Sequence, residues 1–119
     1  MFDHIGLKIR DMDAAVRFWE AVLAPLGLGL CSRDDDSASF GPHGMPALWL
    51  YAGGTDGPGT HVALRARHRS AVDRFHAAAL AAGGRDHGGP GVREAYDPRY
   101  YAAFVLDPDG NNVEAVCLG

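Results

Sequence analysis

What this chain lacks narrows its function before any motif is read. No apolar run in its 119 residues is long enough to span a bilayer, so no membrane role is expected. No secretory signal pattern opens it; the N-terminus is expected to begin directly with a strand. There are only two cysteines, Cys31 and Cys117, without metal-ligand spacing and too few for a disulfide framework. A reducing, cytoplasmic setting is the expectation. No basic patch stands out and the formal charge is -4, which argues against nucleic acid as a partner. What is present is a globular composition, 47% hydrophobic and 22% charged, enough for one domain or two small halves sharing a core. Sixteen glycines in so short a chain point to many turns and several short strands.

Phe2 to Arg10 alternates with period two, with Ile5, Leu7 and Ile9 on one face and His4, Gly6 and Lys8 on the other. Asp11 or Asp13 can cap the helix that follows, which runs to about Pro25 with Ala15, Phe18, Val22 and Leu26 as its apolar stripe. Strands are expected at 28–31, 38–40 and 47–51, with a polar turn at 33–36 and breakers at Gly41, Pro42 and Gly44. The linker-like segment 53–59 then separates a module at 1–52 from one at 60–119. After it, Thr60 to Ala66 reads as a strand, with His61, Ala63 and Arg65 opposite Val62, Leu64 and Ala66. Ser70 is expected to cap a second helix with the stripe Val72, Phe75, Ala79 and Leu80, ending at Gly83-Gly84. Residues 85–91 read as a Gly-rich loop around a short strand, with another short strand near 92–96. Tyr100 to Leu106 and Asn112 to Leu118 form a hairpin about the turn at Asp107-Pro108-Asp109-Gly110.

The second half repeats the first at an offset of 57 residues: His4 with His61, Leu7 with Leu64, Lys8 with Arg65, Arg17 with Arg74, Phe18 with Phe75, Gly27 with Gly84. Shared Ala positions alone could be chance; aligned His, Phe, Arg and Gly are not readily so. The fold class expected is α+β, a duplicated βαβββ module with its helices outside a curved mixed sheet that forms a cavity.

Glu114 sits in the middle of an apolar strand. A carboxylate there needs a partner, because burying an unpaired charge costs several kcal/mol or more, on the order of the effective ion penalty in proteins. Meeting solvent at a sheet edge, or pairing with an Arg, would satisfy it without any function. Duplication, however, puts His4 and His61 at equivalent places, both opposite the aliphatic residues that pack on the helices. If the two sheets face a common cavity, two imidazoles and one carboxylate converge. That set suits Fe(II), Mn(II), Zn(II), Ni(II) or Co(II) and leaves coordination positions open for Lewis-acid or oxygen chemistry.

Three stretches carry a family resemblance that covers the whole chain: Asp3-His4-Ile5-Gly6-Leu7 with its helix, Thr60-His61-Val62-Ala63-Leu64 with its helix, and Phe104 to Glu114 through Asp107-Pro108-Asp109-Gly110. In this order, with the repeat, the chain resembles the vicinal oxygen chelate superfamily of glyoxalase I, extradiol dioxygenases, fosfomycin-resistance thiol transferases and bleomycin-resistance proteins. The resemblance implies a divalent metal held by His4, His61 and Glu114. It implies a small-molecule substrate chelated through two oxygens, and a lyase, isomerase, dioxygenase or thiol-transferase reaction. It also implies a homodimer, in some members with exchanged modules. The alternative it implies is a metal-free protein that sequesters a small molecule or drug, as bleomycin-resistance proteins do. Where glyoxalase I has a fourth, glutamate ligand, this chain has Trp49. Where the fosfomycin enzymes have a Thr two residues after the first His, it has Gly6.

Trp49 and Tyr51 share a face and are candidates for lining the substrate cavity; an ordinary core role accounts for them equally. Of Tyr100 and Tyr101, alternation turns one inward, where it can hydrogen-bond a substrate, although an aromatic strand packing on a helix accounts for either one somewhat better. Arg65, like Lys8, shares the ligand face and can attract an anionic substrate, although such residues also serve simply as solvated strand ends. His43, His68, His76 and His87 read as surface or loop residues. No catalytic residue is assigned from sequence.

Overall fold

The computed structural model of the protein describes residues 1–55 and 59–119. Eight strands and two helices follow one another as β1 (Ile5–Ile9), α1 (Met12–Leu23), β2 (Gly29–Arg33), β3 (Ser37–Gly41), β4 (Leu48–Ala52), β5 (His61–Arg65), α2 (Arg69–Ala81), β6 (Arg85–Val92), β7 (Tyr101–Leu106) and β8 (Asn112–Cys117). They form two four-stranded mixed sheets of identical order, β1-β4-β3-β2 and β5-β8-β7-β6. In each, the first strand pairs parallel with the fourth, and the remaining pairs are antiparallel. This is the expected α+β class with two βαβββ modules. Part of the expected linker, residues 56–58, lies outside the described residues. Among the described residues no helix is long and apolar enough to cross a membrane.

Alternation decides which side of each sheet is buried. Leu7 and Ile9 of β1, Leu48 and Leu50 of β4, Val62 of β5, and Val113, Ala115 and Cys117 of β8 join one core with the helices. Helix α1 contributes Ala15, Val16, Phe18, Trp19, Val22 and Leu23, and α2 contributes Ala71, Val72, Phe75 and Ala79. Each large apolar side chain so buried contributes roughly 1.5–3 kcal/mol. Phe18 and Trp19 meet edge to face, ring centroids 5.5 Å apart. The helices also pack on each other, joining the modules. A second junction is polar. The backbone N–H and Nε of Arg10, just after β1, both donate to Oδ1 of Asp109 in the β7–β8 turn, at 2.9 and 3.1 Å, and Nη2 donates to the Pro108 carbonyl at 2.9 Å.

Local details depart from the sequence reading in four places. Asp11 caps α1, accepting from the Ala14 N–H at 3.1 Å, but the helix ends at Leu23 and passes into a 3-10 turn at Ala24–Leu26 around Pro25. Ser70 is not a cap: α2 starts at Arg69 after His68, whose side chain makes no capping bond. Leu80 is 43% exposed and does not belong to the apolar stripe, which Ala71 completes instead. Residues 85–92 are one continuous strand rather than a loop, with register shifts where glycines interrupt the pairing with β7. Pairing with β7 overrides the low strand propensity of three glycines and a proline.

Candidate functional site

The helix-free face of the second sheet is built from the alternate positions His61, Ala63 and Arg65 on β5 and Asn112, Glu114 and Val116 on β8, with Ala102, Phe104 and Leu106 on β7. Register sets Glu114 directly between Ala63 and Phe104. Its carboxylate is only 2% exposed as a residue, so the partner it requires must come from the protein. Two are present. Oε1 lies 3.1 Å from Nε2 of His61, and Oε2 accepts a short hydrogen bond from the Tyr100 hydroxyl. Neither solvent nor an Arg satisfies this group.

His61 is oriented by its other nitrogen. Nδ1 donates to the Asn112 carbonyl at 3.2 Å, which fixes Nε2 as the atom facing Glu114. A neutral imidazole in this tautomer turns a lone pair toward a carboxylate oxygen. Two acceptors then face each other, and either a proton on Nε2 or a cation shared by both atoms resolves the conflict. A backbone carbonyl behind a histidine, orienting its free nitrogen, is the arrangement metal-binding histidines use. Upstream, the turn that starts β8 is locked. Asp107 accepts from the N–H groups of Asp109 and Asn111 at 2.9 and 2.8 Å and from the Asn111 side-chain amide at 2.8 Å. Asn111 Oδ1 in turn accepts from the Thr60 N–H at 2.8 Å, which sets the strand carrying His61. Burial pushes the Asp107 carboxyl up, against these hydrogen bonds, which pull it down.

Tyr100 and Tyr101 take opposite sides. Tyr100 is on the helix-free face; burial, with its bond to Glu114 and that group's charge, pushes its phenol up to about 12. Tyr101 turns to the helix side, where its hydroxyl donates to Asp73 of α2 at 2.6 Å and its ring meets the Arg69 guanidinium at 4.9 Å. It is therefore a sheet-to-helix contact, not a substrate candidate. Arg65 is exposed on the helix-free face at the end of β5.

His4 does not join the pair. It precedes β1, is about half exposed, and its Nδ1 lies 2.6 Å from Asp3 Oδ1. Among the described residues of one chain, no group of three His, Cys, Asp or Glu side chains comes together to hold a metal ion. The chain thus brings together two of the three expected ligands. On the first sheet, Trp49 and Tyr51 are stacked on the helix-free face, centroids 6.1 Å apart and planes within 7°. Lys8 Nζ lies 5.7 Å from the Tyr51 ring. Gly6 pairs with Trp49 as Ala63 pairs with Glu114, and Gly6 and Ala63 are 57 residues apart, so Trp49 is the register equivalent of Glu114. His76, read as a surface residue, is mostly covered and lies 2.9 Å from Asp86 of β6.

Paired βαβββ modules of equal strand order, with a His and a buried Glu on the helix-free face of the second, define the class of fold. The sequence model of the glyoxalase/bleomycin resistance protein/dioxygenase superfamily matches residues 1–115, and the chain belongs to that superfamily. It is similar to a glyoxalase/bleomycin resistance protein from Albidiferax ferrireducens T118, at 27% identity over 98% of both chains with a TM-score of 0.87. Two further structures share the fold. One is a glyoxalase-related enzyme from Fulvimarina pelagi, 22% identical over 98% of this chain and 87% of that one, TM-score 0.76. The other is a glyoxalase/bleomycin resistance protein/dioxygenase family enzyme from Burkholderia phytofirmans PsJN, 20% identical over 98% of both chains, TM-score 0.77. No curated protein matches the sequence.

Proposed function

We propose that the protein is a metal-dependent enzyme of its superfamily, acting on a small organic substrate through two of the substrate's oxygens. In this reading it works as a homodimer in which His61 and Glu114 of one chain are joined by His4 of a second copy. The observation that carries the reading is the His61–Glu114 pair: a carbonyl-oriented imidazole nitrogen and a buried carboxylate oxygen 3.1 Å apart. The donor set fits Fe, Mn, Zn, Ni or Co, with Glu114 as its only anionic member. The ion supplies Lewis-acid stabilisation of negative charge developing on a chelated oxygen. Tyr100 holds Glu114 in place through Oε2. Trp49, standing where a fourth carboxylate would complete a glyoxalase-type set, leaves more positions for substrate or water.

A second copy is invoked because the chain itself does not bring His4 to the pair. Mixed dimers test this. His4→Ala and Glu114→Gln proteins each bind metal at least tenfold more weakly than the wild type. Unfolded and refolded together, they regain about one tight site per mixed dimer, read by elemental analysis. Failure of the mixture to regain any site rejects the shared arrangement; undiminished metal uptake by Glu114→Gln rejects the metal centre itself.

Among the described residues of one chain no third ligand joins His61 and Glu114, which favours a second reading, a metal-free protein that sequesters a small molecule on the same face. Wild-type dimers that take up no divalent metal yet are stabilised against heat by organic ligands would establish it in place of the first.

A further inference from the structure

The Gly-rich stretch that reads as a loop in the sequence has a purpose in the structure. Strand β6 lies beside Phe104, and Arg93, just beyond its end, folds back over it. Its Nη1 donates to the Gly91 carbonyl at 2.9 Å and Nη2 to the Gly89 carbonyl at 2.7 Å. A Cβ on Gly91 would lie 3.2 Å from Nη1; one on Gly88 would lie 3.2 Å from Nη2 and 3.1 Å from Phe104 Cδ1, at a φ of +146° that disfavours any side chain. The missing side chains form a cradle in which the guanidinium reaches backbone carbonyls, with its central carbon 5.4 Å from the Phe104 ring centroid. Among the described residues Arg93 has no carboxylate partner: its bonds go to neutral carbonyls, and its other N–H groups remain for a ligand.

A pocket of about 290 Å³ opens beside it, lined by His87, Gly88, Arg93, Tyr96, Phe104 and Asn112. Its charged group, the Arg93 guanidinium, points to what enters. The pocket adjoins the His61–Glu114 pair directly. The His61 ring stacks on Phe104 with centroids 6.4 Å apart, and Tyr96 meets Tyr100, the Glu114 partner, edge to face at 5.0 Å.

We propose that this pocket is an anion subsite that binds the carboxylate of a small carboxylic acid. The Arg93 guanidinium supplies the counter-charge. Arg suits the task because its planar fork matches a carboxylate in two parallel bonds. The proposal rests on the reading of this face as the substrate face, and it names the chemical class of the substrate.

The probe is 2-hydroxybenzoate, titrated into chelator-treated protein by calorimetry, with the uncharged 2-hydroxybenzamide as its control. The acid is expected to bind saturably and at least tenfold more tightly than the amide. Arg93→Met should weaken it at least tenfold and Arg93→Lys by less. His61→Gln should still bind it in an Arg93-dependent way. This last arm separates the subsite from the metal reading, since loss of the metal centre leaves it untouched. No saturable binding, equal binding of the amide, or wild-type affinity in a folded Arg93→Met overturns the proposal. Should Arg93→Met not fold, the amide resonances of the wild type decide. Shifts on adding the acid that centre on Gly88, Gly89, Gly91 and the Arg93 Nε–H support it, and shifts confined elsewhere overturn it.

Discussion

Tyr51 fills the space where a Cβ on Gly6 would lie: its Cε2 is 2.8 Å from that point, and Cδ2 is 3.3 Å away. The absence of a side chain on β1 lets the Tyr51 ring lie across the strand, parallel to Trp49 and within reach of Lys8. Gly6→Ala is expected to swing the Tyr51 ring outward, since that residue is already 38% exposed. Stability should change by no more than about 1 kcal/mol, because Ala also reduces the chain entropy lost on folding. Ring-proton shifts of Trp49 and Tyr51 check this; shifts identical to the wild type would contradict the packing.

Removing the Tyr100 hydroxyl leaves a buried carboxylate oxygen without its donor. Tyr100→Phe is expected to destabilise the fold by about 1–3 kcal/mol in urea unfolding. The pH dependence has a definite sign. The phenol is raised from its ordinary 10.0 to about 12 in the folded protein, so its contribution is complete below pH 10 and is lost as pH rises toward 12. An alkaline titration of phenolate absorbance should lose a late component in Tyr100→Phe. A titration in which the variant loses only an early component would refute the assignment.

Asp109 ties the end of β1 to the β7–β8 turn through both the backbone and the side chain of Arg10. Asp109→Ala is expected to cost about 1.5–3 kcal/mol, the range for hydrogen bonds to a charged group. Its effect should appear as faster amide exchange at Arg10 and around Asn111, with α1 and α2 protected as before. Uniformly faster exchange would mean that the clasp is not a local device.

Asp107 behaves oppositely to a paired surface carboxylate. Burial raises its carboxyl above the ordinary value of 3.8, so between that value and the folded one the native state binds more protons than the unfolded state. Its contribution is therefore present at low pH and lost as pH climbs through that window. Asp107→Asn brings two amide nitrogens together at Asn111 and should destabilise the protein. The deficit relative to wild type should be larger near pH 4 than at neutrality. A deficit that grows as pH rises through the window would reverse the sign and discard the explanation.

Much of the architecture was legible because it depends on local periodicity. Alternation in β1 and β5, the offset of 57, and the Asp-Pro-Asp-Gly turn are properties of short stretches, and these elements lie close to where they were read, whereas the short strand expected near 92–96 is a turn at 94–96. The need of Glu114 for a partner was also readable, since a charge inside an apolar strand is costly wherever it lies. The identity of the partners was not. Tyr100 reaches Glu114 because β7 and β8 pair in a register that depends on the whole hairpin. Strand β6 was hidden because glycine carries no alternation signal, and the Arg93 cradle with it: that site consists of absent side chains and backbone carbonyls. Leu80 misled because a helical stripe read from spacing does not show where the neighbouring sheet ends.

The register match of Trp49 with Glu114 makes the two halves unequal at one shared place. One polypeptide presents the same parallel strand pairing twice, with an indole at the central position of one copy and a carboxylate at that of the other. The asymmetry divides the labour: the half bearing the indole is released from the electrostatic demands met by the other half, and its face can change for shape alone.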